Sequence, residues 1–289
     1  KTQKVKDVIE RIGHQNPDLV KPTLGPKEPW AYRNKMQMPV GGTKGDIQMG
    51  FYAMGSHDIV QGTNCPIQDE GNNIIAQACY QIAKEFDIEP YDEHTGKGVL
   101  RHIIGRIGQS GWMIILVTAT EQLPYKEKWV EKLTERIPQV ETIVHNVNGK
   151  RTNVILGPKN NILYGDGTIT DHIKDLQFTL SPHSFFQVNP EQTTVLYDQA
   201  LEYADLKGDE TVIDAYCGTG TISLFLAHKA KHVIGIEIVE PAIINARENA
   251  KRNGYDNTEF IVADAAVEMP KLYKAGVRPD VIVFDPIRA

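Results

Sequence analysis

The stretch Asp214-Ala-Tyr-Cys-Gly-Thr-Gly-Thr221 lies between the apolar run Thr211–Asp214 and the apolar stretch Ile222–Ala227. This order of residues predicts a strand, a glycine turn and a helix. Gly218 and Gly220 let the backbone turn tightly and approach a ligand, because glycine has no Cβ. The helix that follows points unpaired N–H groups at the same place. The pattern therefore predicts a ligand site at the end of this strand.

Acidic residues end four apolar runs in this part of the sequence, and they are Asp214, Glu237, Asp264 and Asp285. A single acid at a strand end is more often a helix cap, but four such ends in a parallel sheet line the edge where ligands bind. Glu237 stands seventeen residues after Gly220, where an acid is placed to bind ribose hydroxyls. The sequence thus predicts a cofactor that contains a nucleoside.

The details of the turn favour S-adenosylmethionine as this cofactor. A dinucleotide fingerprint would place a third glycine where Ser223 stands, which weakens the alternative of a nicotinamide-dependent oxidoreductase. S-adenosylmethionine has no pyrophosphate and carries a sulfonium and an ammonium, so the carboxylate of Asp214 suits it better than a phosphate-binding turn would. A third hypothesis is an RNA-binding chain without catalytic activity.

Composition limits the class of protein. The chain has 289 residues, of which 41% are hydrophobic and 24% charged, which is typical of a globular protein and enough for two domains. The sequence has no signal-peptide-like start and no long apolar run, which predicts a cytoplasmic location and no membrane partner. The net charge of −6 argues against nucleic-acid binding by bulk attraction, so any such contact has to be local. Cys65, Cys79 and Cys217 match no zinc or disulfide spacing, and no metal site is expected.

Hydrophobic patterning divides the chain into three parts. Residues 1–26 hold a helix with an apolar stripe, expected to pack on the catalytic domain. Residues 27–180 predict a central α+β domain of short strands, hairpins and two helices, with hairpin turns at Gly41–Gly45, Ser110-Gly111 and Asn148-Gly149. Residues 181–289 predict an α/β, Rossmann-like domain with strands near 211, 232, 259 and 280. With only those four strands before the sequence stops, we expect this domain to be truncated.

Several motifs together resemble the RNA uracil-C5 methyltransferases, and within them the branch that makes 5-methyluridine in bacterial 23S ribosomal RNA. The resemblance covers nearly the whole chain, with four motifs in the family's order in its C-terminal part. These four are His183–Pro190, Asp214–Gly220, Gly235–Glu237 and Phe284–Pro286, and the N-terminal matches are Tyr32–Lys35, Gly50–Tyr52 and Ser56-His57.

The resemblance implies methylation of a uridine in 23S ribosomal RNA by S-adenosylmethionine, a step of rRNA processing. Transfer RNA stays open as the alternative substrate, and no protein partner is inferred. The implied cofactor-binding residues, together with those expected from the glycine turn, are Gln187, Asp214, Tyr216, Gly218, Gly220, Thr221, Glu237, Asp264 and Asp285. Glu237 would bind the ribose and Asp264 the adenine amino group. The central domain would bind RNA through Arg33, Asn34 and Lys35, while Phe185 would stack on the target base and Phe186 would pack in the core.

The family's chemistry needs a cysteine thiolate that adds to C6 of uracil and a base that removes the C5 proton. In the family both groups follow the Asp-Pro motif, so we expect them beyond Ala289, no catalytic residue within this stretch, and no activity from it alone. Cys217 lies in the cofactor turn and is expected to be structural. Family members often bind an iron–sulfur cluster, for which Cys65 alone is an insufficient ligand set. The segment Asp285–Arg288 departs from the family pattern after its first proline.

Overall fold

The computed structural model describes residues 1–286, and the last residues of the Asp285–Arg288 departure lie outside this range. The chain begins with helix α1 (Thr2–Arg11), followed by a short 3-10 helix at Pro17–Leu19. No residue of α1 is buried, and its apolar stripe of valine and isoleucine side chains lies at the surface of the described structure. Packing of this helix on the catalytic domain stays a prediction.

The middle of the chain forms one seven-stranded sheet within the described residues. Its strands are β1 (Lys35–Thr43), β2 (Asp46–Tyr52), β3 (Ile59–Gln61), β4 (Leu100–Ile107), β5 (Trp112–Thr118), β6 (Val140–Val147) and β7 (Lys159–Tyr164), in the order β3-β2-β1-β4-β5-β6-β7. Neighbouring strands are antiparallel except for β5 and β6, which are parallel. A parallel pair needs a crossover, which is supplied by α3 (Lys126–Arg136), while α2 (Glu70–Glu85) connects β3 to β4.

Two of the three predicted hairpins are confirmed. β1 and β2 pair up to Thr43 opposite Asp46, and β4 and β5 pair around the predicted Ser110-Gly111 turn. The expectation of a tight turn at Asn148-Gly149 is wrong, because β7 starts only at Lys159. The Asn148 amide instead donates hydrogen bonds to two carbonyl groups further along the loop, so its side chain organises a long connection.

The two faces of the seven-stranded sheet pack against different layers. One face, with Met36, Met38 and Ile103, forms a core with α2 and α3. The opposite face, with residues such as Ile104 and Ile115, shares a core with the C-terminal part of the chain. Alternation of side chains along each strand produces this division. The sheet therefore joins the two halves of the molecule through a common apolar layer.

The C-terminal part is a second sheet with flanking helices, called the Rossmann-like unit below. The four strands are β10 (Thr211–Ala215), β11 (His232–Glu237), β12 (Thr258–Val262) and β13 (Val281–Phe284), all parallel and in the order β12-β11-β10-β13. The helices are α4 (Pro190–Ala204), α5 (Thr221–Ala227), α6 (Glu240–Arg252) and α7 (Ala265–Lys274). All four predicted strands are confirmed. Their order reverses between β10 and β13, and such a switch point is where open parallel sheets bind ligands.

A small hairpin connects the two sheets. It consists of β8 (Ile169–Ile173) and β9 (Leu176–Leu180), and its apolar residues belong to the shared core. Asn249 of α6 and Asn253, the C-cap residue of this helix, bind its second strand. The Asn253 amide exchanges two hydrogen bonds of 2.8 Å with the backbone of Gln177, and Asn249 accepts one of 3.4 Å from the Thr179 N–H. Helix α6 thereby fixes the hairpin to the Rossmann-like unit.

Candidate functional site

The glycine turn after β10 has a backbone that favours glycine. Tyr216, Gly218 and Gly220 all have positive φ, at 69°, 55° and 79°. A Cβ on Gly220 would lie 3.1 Å from Ala246 and Phe260, so this position requires glycine for space as well as for conformation. A Cβ on Gly218 would meet no atom within 4 Å, because that glycine faces open space beside the turn. Gly218 is therefore the place where a ligand can approach the backbone.

A cavity of about 1080 Å³ opens at the carboxyl ends of β10, β11 and β13. It is lined by seven of the nine residues predicted to bind the cofactor, namely Gln187, Asp214, Tyr216, Gly218, Thr221, Glu237 and Asp285. Phe185, predicted to stack on a base, lines the same cavity. The sequence motifs, which are spread over about a third of the chain, thus meet in one place.

Two predicted residues lie outside the lining of this cavity. Gly220 forms the N-cap of α5 instead. Asp264 forms the N-cap of α7, where its carboxylate accepts a hydrogen bond of 2.8 Å from the Ala266 N–H. This is the ordinary capping role of an acid at a strand end. Binding of the adenine amino group by Asp264 stays a prediction.

Asp214 is the most strongly perturbed acid of the cavity. Its side chain is 1% exposed, and its Oδ2 accepts a hydrogen bond of 2.5 Å from the Ser223 hydroxyl. Its Oδ1 is buried and has no hydrogen-bond partner among the described residues. Burial, with smaller contributions from Asp285 and Glu237, raises the pKa of Asp214 to about 7, although the hydrogen bond from Ser223 opposes the rise. An unpartnered carboxylate oxygen in a cavity fits a cationic ligand group, which would lower this pKa again.

Glu237 connects the end of β11 to the glycine turn. Its Oε2 accepts a hydrogen bond of 3.2 Å from the Gly218 N–H, and its Oε1 accepts one of 2.9 Å from the Val239 N–H. Each carboxylate oxygen has a further lone pair for a ligand hydroxyl. The two backbone bonds fix the direction in which those lone pairs point, which suits a carboxylate that recognises a ribose.

Cys217 has the environment of a packing residue. Its side chain is buried in the shared core, and burial, with Asp214 and Glu237 nearby, raises the pKa of the thiol above its usual range. A nucleophilic cysteine needs the thiolate, which an elevated pKa disfavours. The surroundings therefore support the structural role predicted for Cys217.

Several residues of the cavity were not predicted from the sequence. Tyr197 of α4 is buried, its hydroxyl lies 2.8 Å from the Thr221 hydroxyl, and burial raises the pKa of this phenol to about 12. The first turns of α6 add Pro241, Ala242, Ile244 and Asn245, and His183 adds an imidazole. Two of these features had a sequence signal: His183 is the first residue of the motif His183–Pro190, and α6 directly follows the strand that ends at Glu237.

The predicted RNA-binding residues lie at the start of β1. The Asn34 N–H donates a hydrogen bond of 2.9 Å to the Val188 carbonyl, so this end of the central sheet touches the segment that carries Phe185 and Gln187. Arg33, Asn34 and Lys35 do not line the cavity itself but lie beside this segment. Binding of RNA by these residues stays a prediction.

Residues 1–286 contain neither a metal-binding cluster nor a membrane-spanning helix. No group of three or more histidine, cysteine, aspartate or glutamate side chains in this range is arranged to hold a metal ion. Within the same range no helix combines the length and the apolar character needed to cross a membrane.

Comparison with known proteins agrees with this geometry. Residues 206–287 match a family described as "Methyltransferase domain". The crystal structure of the tRNA (uracil-54, C5)-methyltransferase of Pyrococcus abyssi in complex with S-adenosyl-L-homocysteine superimposes with a TM-score of 0.74, at 24% identity, over 91% of this chain and 61% of that one. The fold is that of an S-adenosylmethionine-dependent methyltransferase. The prediction of a Rossmann-like methyltransferase fold is confirmed.

Similarity in sequence extends over the whole chain. It is 51% identical to an uncharacterized RNA methyltransferase of Halalkalibacterium halodurans, 50% to one of Bacillus cereus and 48% to one of Clostridium acetobutylicum. Each match covers 100% of this chain and 63% or 64% of the relative. The chain with this methyltransferase fold therefore spans less than two thirds of the length of these RNA methyltransferases.

Proposed function

We propose that the protein is an S-adenosylmethionine-dependent RNA methyltransferase that forms 5-methyluridine in 23S ribosomal RNA. Relatives about half identical in sequence are named RNA methyltransferases, and a protein of the same fold is named for methylation of uracil at C5. The choice of 23S ribosomal RNA follows the motif resemblance. The match to a methyltransferase family favours this proposal over a nicotinamide-dependent oxidoreductase.

The observation that carries the proposal is the pair of acids at the ends of β10 and β11. Asp214 presents a buried, unpartnered Oδ1 beside the cavity, and Glu237 holds a carboxylate against the glycine turn. S-adenosylmethionine has one cationic end and one ribose, and the two acids suit these groups in turn. Gly218 leaves room for the ligand between them, since no atom lies within 4 Å of its absent Cβ.

The cofactor supplies an electrophilic methyl group on a sulfonium when it is bound. On the protein side, Asp214 accepts hydrogen bonds from its ammonium, Glu237 orients its ribose, and Phe185 stacks on the uracil brought to the open side of the cavity. The burial of Cys217 and the raised pKa of its thiol argue against this residue as the thiol that adds to uracil C6. In the whole protein we propose that this thiol and the proton-accepting base come from sequence after Ala289.

Methylation by the whole protein tests the proposal. S-adenosylmethionine labelled in its methyl group is incubated with 23S ribosomal RNA or transfer RNA that lack modifications, and nucleosides are separated after digestion. The proposal expects label in 5-methyluridine from 23S ribosomal RNA. Label confined to transfer RNA would assign the alternative substrate, and label at a position other than uracil C5 would reject the uridine chemistry. Calorimetry with S-adenosylhomocysteine and with NADH separates methyltransferase from oxidoreductase.

A further inference from the structure

A group of cations lies where the central sheet meets the rim of the cavity. Lys35 of β1 and Arg106 of β4 are direct cross-strand partners, so their side chains project from the same face of the sheet. By alternation this is the face of Ile104, which packs toward the Rossmann-like unit. Arg33 precedes Lys35 by two residues, and His183 of the cavity lining is close enough for both Arg106 and Lys35 to influence its pKa.

Arg106 fixes the segment on which the predicted base-stacking residue stands. It is buried, and its Nη2 donates hydrogen bonds to the Pro182 and Ser184 carbonyls, at 3.2 Å and 2.5 Å. Its Nε is buried and has no hydrogen-bond partner among the described residues. The guanidinium thus places a positive charge against the backbone that directly precedes Phe185, in a position that is set by two hydrogen bonds.

These cations lack counter-ions in the part of the chain that the structure describes. Neither Arg33, Lys35 nor Arg106 forms a salt bridge with a described carboxylate, whereas Lys132, a partly buried lysine, pairs with Glu85 at 2.7 Å. Burial, with Arg106 and Arg33 nearby, lowers the pKa of Lys35 to about 7. Uncompensated positive charge at a half-buried site costs free energy, which an anion from outside would offset.

We propose that Lys35, Arg106 and His183 form a binding site for one phosphodiester of the RNA strand, next to the nucleotide whose base stacks on Phe185. This inference rests on the proposed function and adds to it the anchor that holds the strand while its base enters the cavity. Lys35 supplies the charged contact, and His183 supplies a neutral ring N–H, because burial together with Arg106 and Lys35 lowers the pKa of its imidazole. Arg106 holds the backbone on either side of His183, through the Pro182 and Ser184 carbonyls, and adds its positive charge to the site.

The test uses the whole protein and a fluorescent RNA hairpin with one uridine in its loop. In matched hairpins, an uncharged methylphosphonate replaces the phosphodiester on the 5′ or the 3′ side of that uridine. Wild-type protein is expected to bind one of the neutral hairpins about tenfold more weakly than the charged one. Lys35→Gln is expected to bind the charged hairpin and that neutral hairpin with the same reduced affinity. It is also expected to lower the slope of log affinity against log salt by about 0.7.

Lys44→Gln is the matched control, since Lys44 is an exposed lysine beyond the other end of β1, about 30 Å away by strand length. Lys44→Gln is expected to keep the wild-type difference in affinity between the charged and the neutral hairpin. Lys35→Arg, which keeps a positive charge at position 35, is expected to show this difference as well. The proposal is overturned if Lys35→Gln keeps that difference, or if wild-type protein does not distinguish the hairpins. Binding of S-adenosylhomocysteine is measured for every variant, so that loss of the cofactor site, which would count against the proposed function, is recorded separately.

Discussion

The Ser223 hydroxyl donates a hydrogen bond of 2.5 Å to Oδ2 of Asp214, while Oδ1 of the same carboxylate is buried without a partner. One oxygen is thus held in place by the first turn of α5, and the other is left for a ligand. Since unpartnered buried charge is unfavourable, the free protein raises the pKa of Asp214 to about 7. An ionised Asp214 carboxylate therefore costs free energy in the ligand-free protein and is suited to bind a cationic group of a ligand.

We predict that affinity for S-adenosylmethionine rises with pH through about 7. The carboxylate binds the ammonium only when it is ionised, so below this pH affinity falls by up to about tenfold per unit. Asp214→Asn is expected to remove the pH dependence and to weaken binding by about tenfold or more, the value of a charged hydrogen bond. Isothermal titration from pH 5.5 to 8.5 measures both effects. A pH-independent affinity in wild-type protein would contradict the assignment of Asp214.

The stability of the ligand-free protein should respond to pH in the opposite direction. The pKa of Asp214 is raised in the folded protein, so its contribution to stability is fully present below the unfolded value of 3.8 and is lost as pH rises through about 7. At pH 8, Asp214→Asn is therefore expected to melt at the same temperature as wild-type protein or higher, although it binds the cofactor poorly. Thermal melts of both proteins at pH 5 and pH 8 test this expectation, and a large destabilisation of the variant at pH 8 would oppose it.

Substitutions of the two turn glycines should have different effects. Gly220→Ala combines a positive φ with contacts of 3.1 Å to Ala246 and Phe260, so we expect it to lower the free energy of unfolding by about 2 kcal/mol or more. Gly218→Ala meets no atom within 4 Å and is expected to cost only about 1 kcal/mol, but its methyl group lies where the ligand approaches. Chemical denaturation and calorimetry with S-adenosylhomocysteine separate the two cases. Equal losses of unfolding free energy in Gly218→Ala and Gly220→Ala would contradict the different roles assigned to the two glycines.

Most of the Rossmann-like unit could be predicted from the sequence, because its signals are local. The sequences of β10 to β13 are apolar runs that are followed by an acid or a turn. Such a continuous apolar run is the pattern typical of a buried parallel strand. The hairpin predicted at Asn148-Gly149 failed because the dipeptide is also suited to a loop in which the Asn148 side chain bonds to backbone carbonyls. The dipeptide alone does not distinguish these two conformations.

The rest of the site depends on contacts between distant parts of the chain. Tyr197 reaches Thr221 because α4 packs beside α5, and Lys35 reaches Arg106 through the register of β1 and β4. Neither contact has a signal in the neighbouring sequence. Asp264 shows the converse case, because its position at a strand end was predicted correctly while its carboxylate caps α7 outside the cavity lining. An acid at a strand end can cap the following helix or bind a ligand, and the packing around it determines which of the two it does.

Asn249 of α6 and its C-cap residue Asn253 are predicted to have different effects on stability and on cofactor binding. Among the described residues the Asn253 amide forms hydrogen bonds with Gln177 of β9 and with the Asn249 carbonyl of α6, away from the glycine turn. Asn253→Ala should therefore lower the free energy of unfolding by about 1–3 kcal/mol and leave cofactor affinity unchanged. Asn249 also donates a hydrogen bond of 3.2 Å to the Thr219 carbonyl of the glycine turn. Asn249→Ala should therefore reduce both stability and affinity for S-adenosylhomocysteine. Unchanged affinity in Asn249→Ala would show that the turn holds its shape without this contact.

Phe185 and Phe186 are adjacent, and we predict that they act in different ways. Phe185 is 68% exposed at the cavity, whereas Phe186 is 6% exposed and packs against Phe178, with ring centres 5.7 Å apart. Phe185→Ala should leave the melting temperature unchanged and weaken binding of a uridine-containing RNA hairpin by about 1–3 kcal/mol. Phe186→Ala should instead lower the free energy of unfolding by about 3–5 kcal/mol. Phe185→Tyr, which keeps an aromatic face, is the control and should retain binding. If Phe185→Ala binds the hairpin as wild-type protein does, then an aromatic ring at this position is not the platform for the base.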